Sequence, residues 1–229
     1  MIADLTSPNF DQRPPGTEID MLVLHYTCMR SAAEALARLT DPEAKVSAHY
    51  LVEEDGTVVR LVDEEMRAWH AGVAFWRGAT DINARSIGIE LVNPGHEFGY
   101  REFPREQMAG LVDLALGILS RWPIPPRNVV GHADVAPRRK LDPGELFDWH
   151  RLARAGIGLW PVEAEDCVMD EDAIRAMLTE IGYETDDFFA TLKAFQRHWR
   201  PARVNGRIDW ETARLAGGLC ALLSGGAAG

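Results

Sequence analysis

The chain has 229 residues, 46% of them hydrophobic, which suffices for a sizeable core and excludes global disorder. Its formal net charge of -11 divides into -6 over residues 1–162 and -5 over residues 163–229. Neither part therefore offers the basic patch that nucleic acid or an anionic membrane surface requires. Cys28, Cys167 and Cys220 are odd in number and far apart, with no C-x-x-C. That argues against a disulfide framework or a Cys-rich metal site and fits a reducing compartment.

Residues 1–20 are polar and Pro-rich and read as an arm on the surface. They show neither the basic n-region nor the apolar run of an export signal, and no stretch approaches about 18 uninterrupted apolar residues. The sequence as it stands is expected to be cytoplasmic, without a transmembrane segment; removal of an export signal would make the periplasm the alternative. A monomer is expected.

MLVLHYT (21–27) is a continuous apolar run ending in His25, the pattern of a buried strand. SAAEALARLTD (31–41) is helical, with Ser31 as N-cap and Glu34 completing a capping box. SAHYLVEEDGTVVRLV (47–62) is a hairpin around Glu-Asp-Gly. SIGIELV (86–92) is a second buried strand. Pro104 opens a long helix running to about Trp122, NVVGH (128–132) is a third buried strand, and residues 146–155 form a short helix. Strands alternating with helices imply an α/β domain with a mixed central sheet. A boundary falls near residue 162. Beyond it, 170–183, 186–199 and 209–223 read as amphipathic helices, the last N-capped by Asp209, making a three-helix module over 168–224. GGAAG (225–229) is expected to be loose.

Three apolar strands each end at, or contain, a polar residue of a catalytic type: His25, Glu90 and His132. Open α/β sheets gather their sites at strand ends. One such His is most simply a hydrogen-bonded core residue. Three in one domain, with Asp142 in a Pro-Gly loop, favour a metal site. Two His and one carboxylate leave one position open, as in a catalytic zinc centre, so His25, His132 and Asp142 are the candidate ligands of one Zn²⁺. Glu90 sits in an apolar strand, where an unpaired carboxylate is costly unless it serves as a general base toward water. Lys140, two residues before Asp142, is placed to stabilise an oxyanion.

WHAG (69–72), NARSIGIELVN (83–93) and GHADVAPRRKLDPG (131–144) resemble the zinc-dependent N-acetylmuramoyl-L-alanine amidases of the AmpD/AmiD type, relatives of the peptidoglycan recognition proteins. The resemblance spans roughly residues 18–160 and includes LHYT and SAHY in the family's order. It implies zinc at His25, His132 and Asp142, Glu90 as base, Lys140 as a catalytic residue, and hydrolysis of the amide between N-acetylmuramic acid and L-alanine of the peptidoglycan stem. It also suggests Trp69, His70 and Asn83 as substrate contacts, against a purely structural packing of the same residues. The chain departs from the pattern at Cys28, where the family has a small residue, and at Ala48, where phage relatives have Tyr. LKAFQRHW and VNGRIDWETARL resemble small helical peptidoglycan-binding modules, which points to peptidoglycan or anhydro-muropeptide as the partner. The competing readings are a non-catalytic peptidoglycan-binding protein and a zinc peptidase on stem peptides. Retention of both His and the Asp weighs against the first, and the absence of H-E-x-x-H weighs against the second.

Overall fold

The computed structural model describes residues 2–165 and 167–225. Six strands form the main sheet: β1 (Ile2–Asp4), β3 (Met21–Tyr26), β4 (Tyr50–Val52), β5 (Val58–Arg60), β7 (Ser86–Leu91) and β8 (Val129–Gly131). Their spatial order is β1-β5-β4-β7-β3-β8. Only β4 and β5, the expected hairpin, run antiparallel; the other neighbours are parallel. A separate antiparallel pair joins β2 (Phe10–Gln12) to β6 (Met66–Ala68). The expected mixed α/β sheet flanked by helices is thus present.

The helices are α1 (Ala32–Thr40), α2 (Ile82–Arg85), α3 (Gly95–Phe98), α4 (Arg105–Arg121), α5 (His132–Val135), α6 (Trp149–Arg154), α7 (Glu171–Ile181), α8 (Phe188–Trp199) and α9 (Trp210–Gly225). Ser31 caps α1 by accepting from the Glu34 amide, and Asp209 caps α9 by accepting from the Thr212 amide. The expected loose tail lies, beyond Gly225, outside the described residues. Among the described residues no helix is long and apolar enough to cross a membrane.

The N-terminal arm differs from a segment merely resting on the surface. Its β1 and β2 are paired with β5 and β6, and the Arg13 guanidinium donates to the carbonyls of Glu64, Asn83, Ala84 and Ser86. These pairings are non-local and leave no trace in the periodicity of so short a segment.

Alternation along the central strands sends side chains to two faces. Leu22, Leu24, Ile87, Ile89 and Leu91 pack against α4 through Met108, Leu111, Ala115 and Ile118. On the other face Met21, Val23 and Val130 form one apolar cluster with Ile174, Leu178, Phe195 and Leu219 of α7 to α9. A continuous core therefore crosses the change of sequence texture near residue 162. Phe195, His198 and Trp199 are buried in it. They are therefore not available to line an external groove.

Candidate metal centre and active site

The register of the parallel strands places the site. His25 on β3 is paired with Glu90 on β7, and Leu24 is paired with Gly131, so His132 emerges at the C-terminal end of the adjacent strand β8. The Ala133 amide donates to the Asp142 carbonyl at 2.8 Å, which holds the Pro-Gly loop against α5. The three candidate ligands meet there. His25 Nδ1 lies 2.9 Å from His132 Nδ1, and the Asp142 Oδ2 lies 3.1 Å and 3.0 Å from these two atoms. All three residues are buried, and their ligand atoms lie within 4.8 Å of one another.

The surrounding hydrogen bonds fix which ring nitrogens carry hydrogen. His132 Nε2 faces the Ala71 carbonyl at 3.0 Å; a carbonyl only accepts, so Nε2 carries the proton and Nδ1 of the neutral ring is bare. A longer chain orients His25. The Ser86 hydroxyl donates to the Ile82 carbonyl, so its oxygen accepts from His70 Nε2 at 3.1 Å. His70 Nδ1 is then an acceptor and receives a hydrogen bond from His25 Nε2–H at 3.0 Å, leaving His25 Nδ1 bare. Burial, then the neighbouring His132, pushes the His25 imidazole down to about 4, and burial holds His70 well below its ordinary value, so both rings are neutral near pH 7.

Two lone pairs and a carboxylate thus converge with no donor among them. The Asp142 carboxylate is buried and faces only these two bare nitrogens. Such an arrangement is repulsive until a cation enters. Two imidazole nitrogens and one carboxylate fit zinc with a coordination position left open.

Glu90 lies beside this group. Its Oε2 is enclosed and has no hydrogen-bond partner among the described residues. Burial and then Asp142 push its carboxyl up to about 8, with Lys140 drawing it partly back. Glu90, Lys140, His132, Asp142 and His70 all line one cavity of about 430 Å³. Cys28 lines it too, in a left-handed conformation (φ 52°), but burial pushes its thiol up, away from nucleophilic activation.

The WHAG segment stands behind the ligands. The Asn83 Oδ1 accepts from the amides of His70 and Ala71 at 3.1 and 2.8 Å, and the Trp69 amide donates to the Ser47 hydroxyl. Gly88 is a glycine because the His70 ring lies flat against it: a Cβ there would collide with Cγ, Nδ1 and Cδ2 of that ring. His49 braces the same layer, its Nδ1 accepting from the Gly88 amide at 2.9 Å. Sequence reasoning did not single out Ser86 or Gly88. The signal was present as two small residues alternating with isoleucine immediately before Glu90.

Comparison with known proteins decides the family. The N-acetylmuramoyl-L-alanine amidase family matches residues 15–145, more than half of the sequence and every candidate site residue. The chain belongs to this amidase family. It is similar to the N-acetylmuramoyl-L-alanine amidase AmiD of Escherichia coli, at 39% identity over 88% of this chain and 82% of AmiD. The 1,6-anhydro-N-acetylmuramyl-L-alanine amidase AmpD of Haemophilus influenzae is 34% identical over 64% of this chain and 88% of AmpD. The solved structure of E. coli AmiD in complex with the substrate anhydro-N-acetylmuramic acid-L-Ala-D-gamma-Glu-L-Lys superposes with a TM-score of 0.82 at 37% identity, covering 92% of this chain and 93% of the AmiD chain in that structure. The protein is an enzyme, an N-acetylmuramoyl-L-alanine amidase of the AmpD/AmiD type. The strand-end His, Glu, His and loop Asp of this amidase are the residues whose geometry is described above.

Proposed function

We propose that this amidase is zinc-dependent and cleaves the amide between N-acetylmuramic acid, or its 1,6-anhydro form, and L-alanine of the stem peptide, in wall turnover or recycling. The observation that carries the reading is the donor-free meeting of His25 Nδ1, His132 Nδ1 and the Asp142 carboxylate beside an unpartnered Glu90. When bound, zinc would supply Lewis acidity toward a carbonyl and acidify a water. Its ligands would be His25, His132 and Asp142.

The chain's own groups divide the remaining work. Glu90, a carboxyl that readily holds a proton, takes one from the attacking water and returns it to the departing amine of L-alanine. Lys140 lines the same cavity and offers positive charge to the oxyanion that develops on the carbonyl. The substrate-binding proposal for Trp69, His70 and Asn83 takes a specific form. His70 lines the cavity, while Trp69 and Asn83 hold the backbone from which it projects.

The catalytic part is proposed to be residues 1–162, with 168–224 as a wall-binding module. The module's motif is explained by its fold. Gln196 accepts from the amides of Asn205 and Gly206 and donates to the Arg207 carbonyl, while Arg200 pairs with Asp209 and Glu211. Phe189, exposed beside Gly206 and Lys193, and Trp210, exposed at the start of α9, are aromatics left free to meet glycan or peptide. The substrate form is supported by the anhydro-muramyl tripeptide bound by AmiD and the anhydromuramic pentapeptide bound by a Pseudomonas aeruginosa relative. Digestion of purified sacculi beside soluble anhydro-muropeptides, read by mass spectrometry before and after chelation, tests the reading. Release of free stem peptide beginning with L-alanine, lost on chelation and restored by zinc, is expected. Turnover unaffected by complete metal removal would sink the zinc dependence.

A further inference from the structure

A second buried carboxylate lies two residues beyond His132. Asp134 is 2% exposed, and both its oxygens are saturated. Its Oδ2 accepts from the Gly131 amide at 2.7 Å and from His198 Nδ1 at 2.6 Å; its Oδ1 accepts from the Tyr183 hydroxyl at 2.6 Å. Tyr183 in turn accepts from Trp199 Nε1 at 3.3 Å. The His198 ring is fixed by stacking, 3.7 Å from Trp149 on one side and 3.7 Å from Trp199 on the other. Tyr183 and His198 belong to the C-terminal helical region, well past residue 145, where the family match ends.

We propose that Tyr183 and His198 are positioning residues of the metal centre, through which the C-terminal helices hold the His132 ligand in place by clamping Asp134. The inference rests on the reading of His132 as a metal ligand. The argument is geometric. α5 has only four residues and cannot hold itself rigid by its own hydrogen bonds. Asp134 folds back onto the Gly131 amide, immediately before His132, and is gripped from the other side by two donors of α8 and the turn preceding it. The same short helix carries the Ala133 amide that holds Asp142. One carboxylate therefore fixes the segment that presents one ligand and tethers another. Groups that orient metal ligands in this way commonly alter metal affinity by about 10- to 100-fold. The module then does more than bring the enzyme to its polymer: it completes the scaffold of the metal site.

The test uses the full chain and the variants Tyr183→Phe and His198→Phe, which keep the aromatic rings and remove the donors. Zinc affinity is read by competition with a chromophoric chelator, alongside kcat and KM on a soluble anhydro-muropeptide and the Tm of the chelated protein. Each variant is expected to bind zinc about tenfold more weakly, with kcat at limiting zinc reduced and KM close to that of the parent. A Tm loss in both variants with zinc affinity unchanged would show a merely structural role and overturn the clamp. Should His198→Phe fail to fold, Tyr183→Phe, which loses a single hydroxyl, decides alone. A parent chain that binds no zinc at all would overturn the metal reading itself, and that outcome is distinct from zinc-binding variants indistinguishable from a zinc-binding parent.

Discussion

Asp134 on α5 and Asp142 in the loop after it are both buried and both face histidine, yet their surroundings are opposite. Around Asp134 three donors converge on one carboxylate, and its hydrogen-bonding capacity is met. Around Asp142 the two facing imidazoles have their Nε2 hydrogens drawn away, by the Ala71 carbonyl and by the His70–Ser86 chain, so that bare nitrogens meet a carboxylate. Identical residue types thus build a closed structural node and an open cation site within ten residues of chain. The lesson concerns neighbours: what decides function is where the second nitrogen of each ring finds its partner.

The largest effect should come from removing what makes the open site open. His25→Ala, His132→Ala and Asp142→Ala each take one of three ligands and should abolish tight zinc binding and with it turnover. Metal analysis of the purified variants checks this. Stoichiometric zinc in all three would mean that the metal sits elsewhere. Next in size is Glu90→Gln, which leaves the ligands untouched. It should retain zinc and lose roughly 10²–10⁴-fold in rate, the usual weight of a general base. Near-parental turnover would remove Glu90 from the mechanism.

Much of this contrast was readable in the sequence. His25, Glu90 and His132 stood out because each interrupts an apolar strand where a polar side chain needs a reason to be present, and Asp142 because Pro-Gly fixes its loop. The register that aligns His25 with Glu90, and Leu24 with Gly131, follows from parallel pairing but is invisible locally. Asp134, Tyr183 and His198 were not legible. Their partners lie 49 and 64 residues apart in sequence, and a lone Asp at the third position of a short helix reads as an ordinary cap. The pairing of β1 and β2 was hidden for the same reason, since three-residue strands carry too little periodicity to declare themselves.

A third prediction uses the pH dependence of Glu90 in the chelated protein. Its folded-state pKa, about 8, lies above the ordinary carboxylate value of the unfolded chain. Between those values the folded state holds a proton that the unfolded state has released, so stability falls as pH rises, by up to about 1.4 kcal/mol per pH unit from this group. The buried histidines, held below their ordinary value, act in the opposite sense only below about pH 6.5, so denaturant unfolding of the metal-free protein between pH 7 and 8 should show this loss, and Glu90→Gln should flatten it. Equal slopes for parent and variant would show that Glu90 is not held protonated.

The smallest and most local test concerns the tautomer of His25. Ser86→Ala removes the acceptor for His70 Nε2–H in a buried layer where no other partner is in place. An unpaired buried donor is costly, so the ring has an incentive to exchange tautomers and carry its hydrogen on Nδ1 instead. That atom lies 3.0 Å from His25 Nε2, so the exchange drives the His25 hydrogen onto Nδ1, the position where a metal would bind. Zinc would then have to displace a proton, and its affinity should drop by about tenfold, in the range typical of groups that orient a ligand. Chelator competition on the folded variant measures the affinity. Nitrogen-15 chemical shifts of the imidazoles in the metal-free protein report the tautomer directly. Parent-like shifts for His25 together with parent-like zinc affinity would show that Ser86 only fills space beside His70, and that the openness of the Asp142 cluster is set by His132 and Ala71 alone.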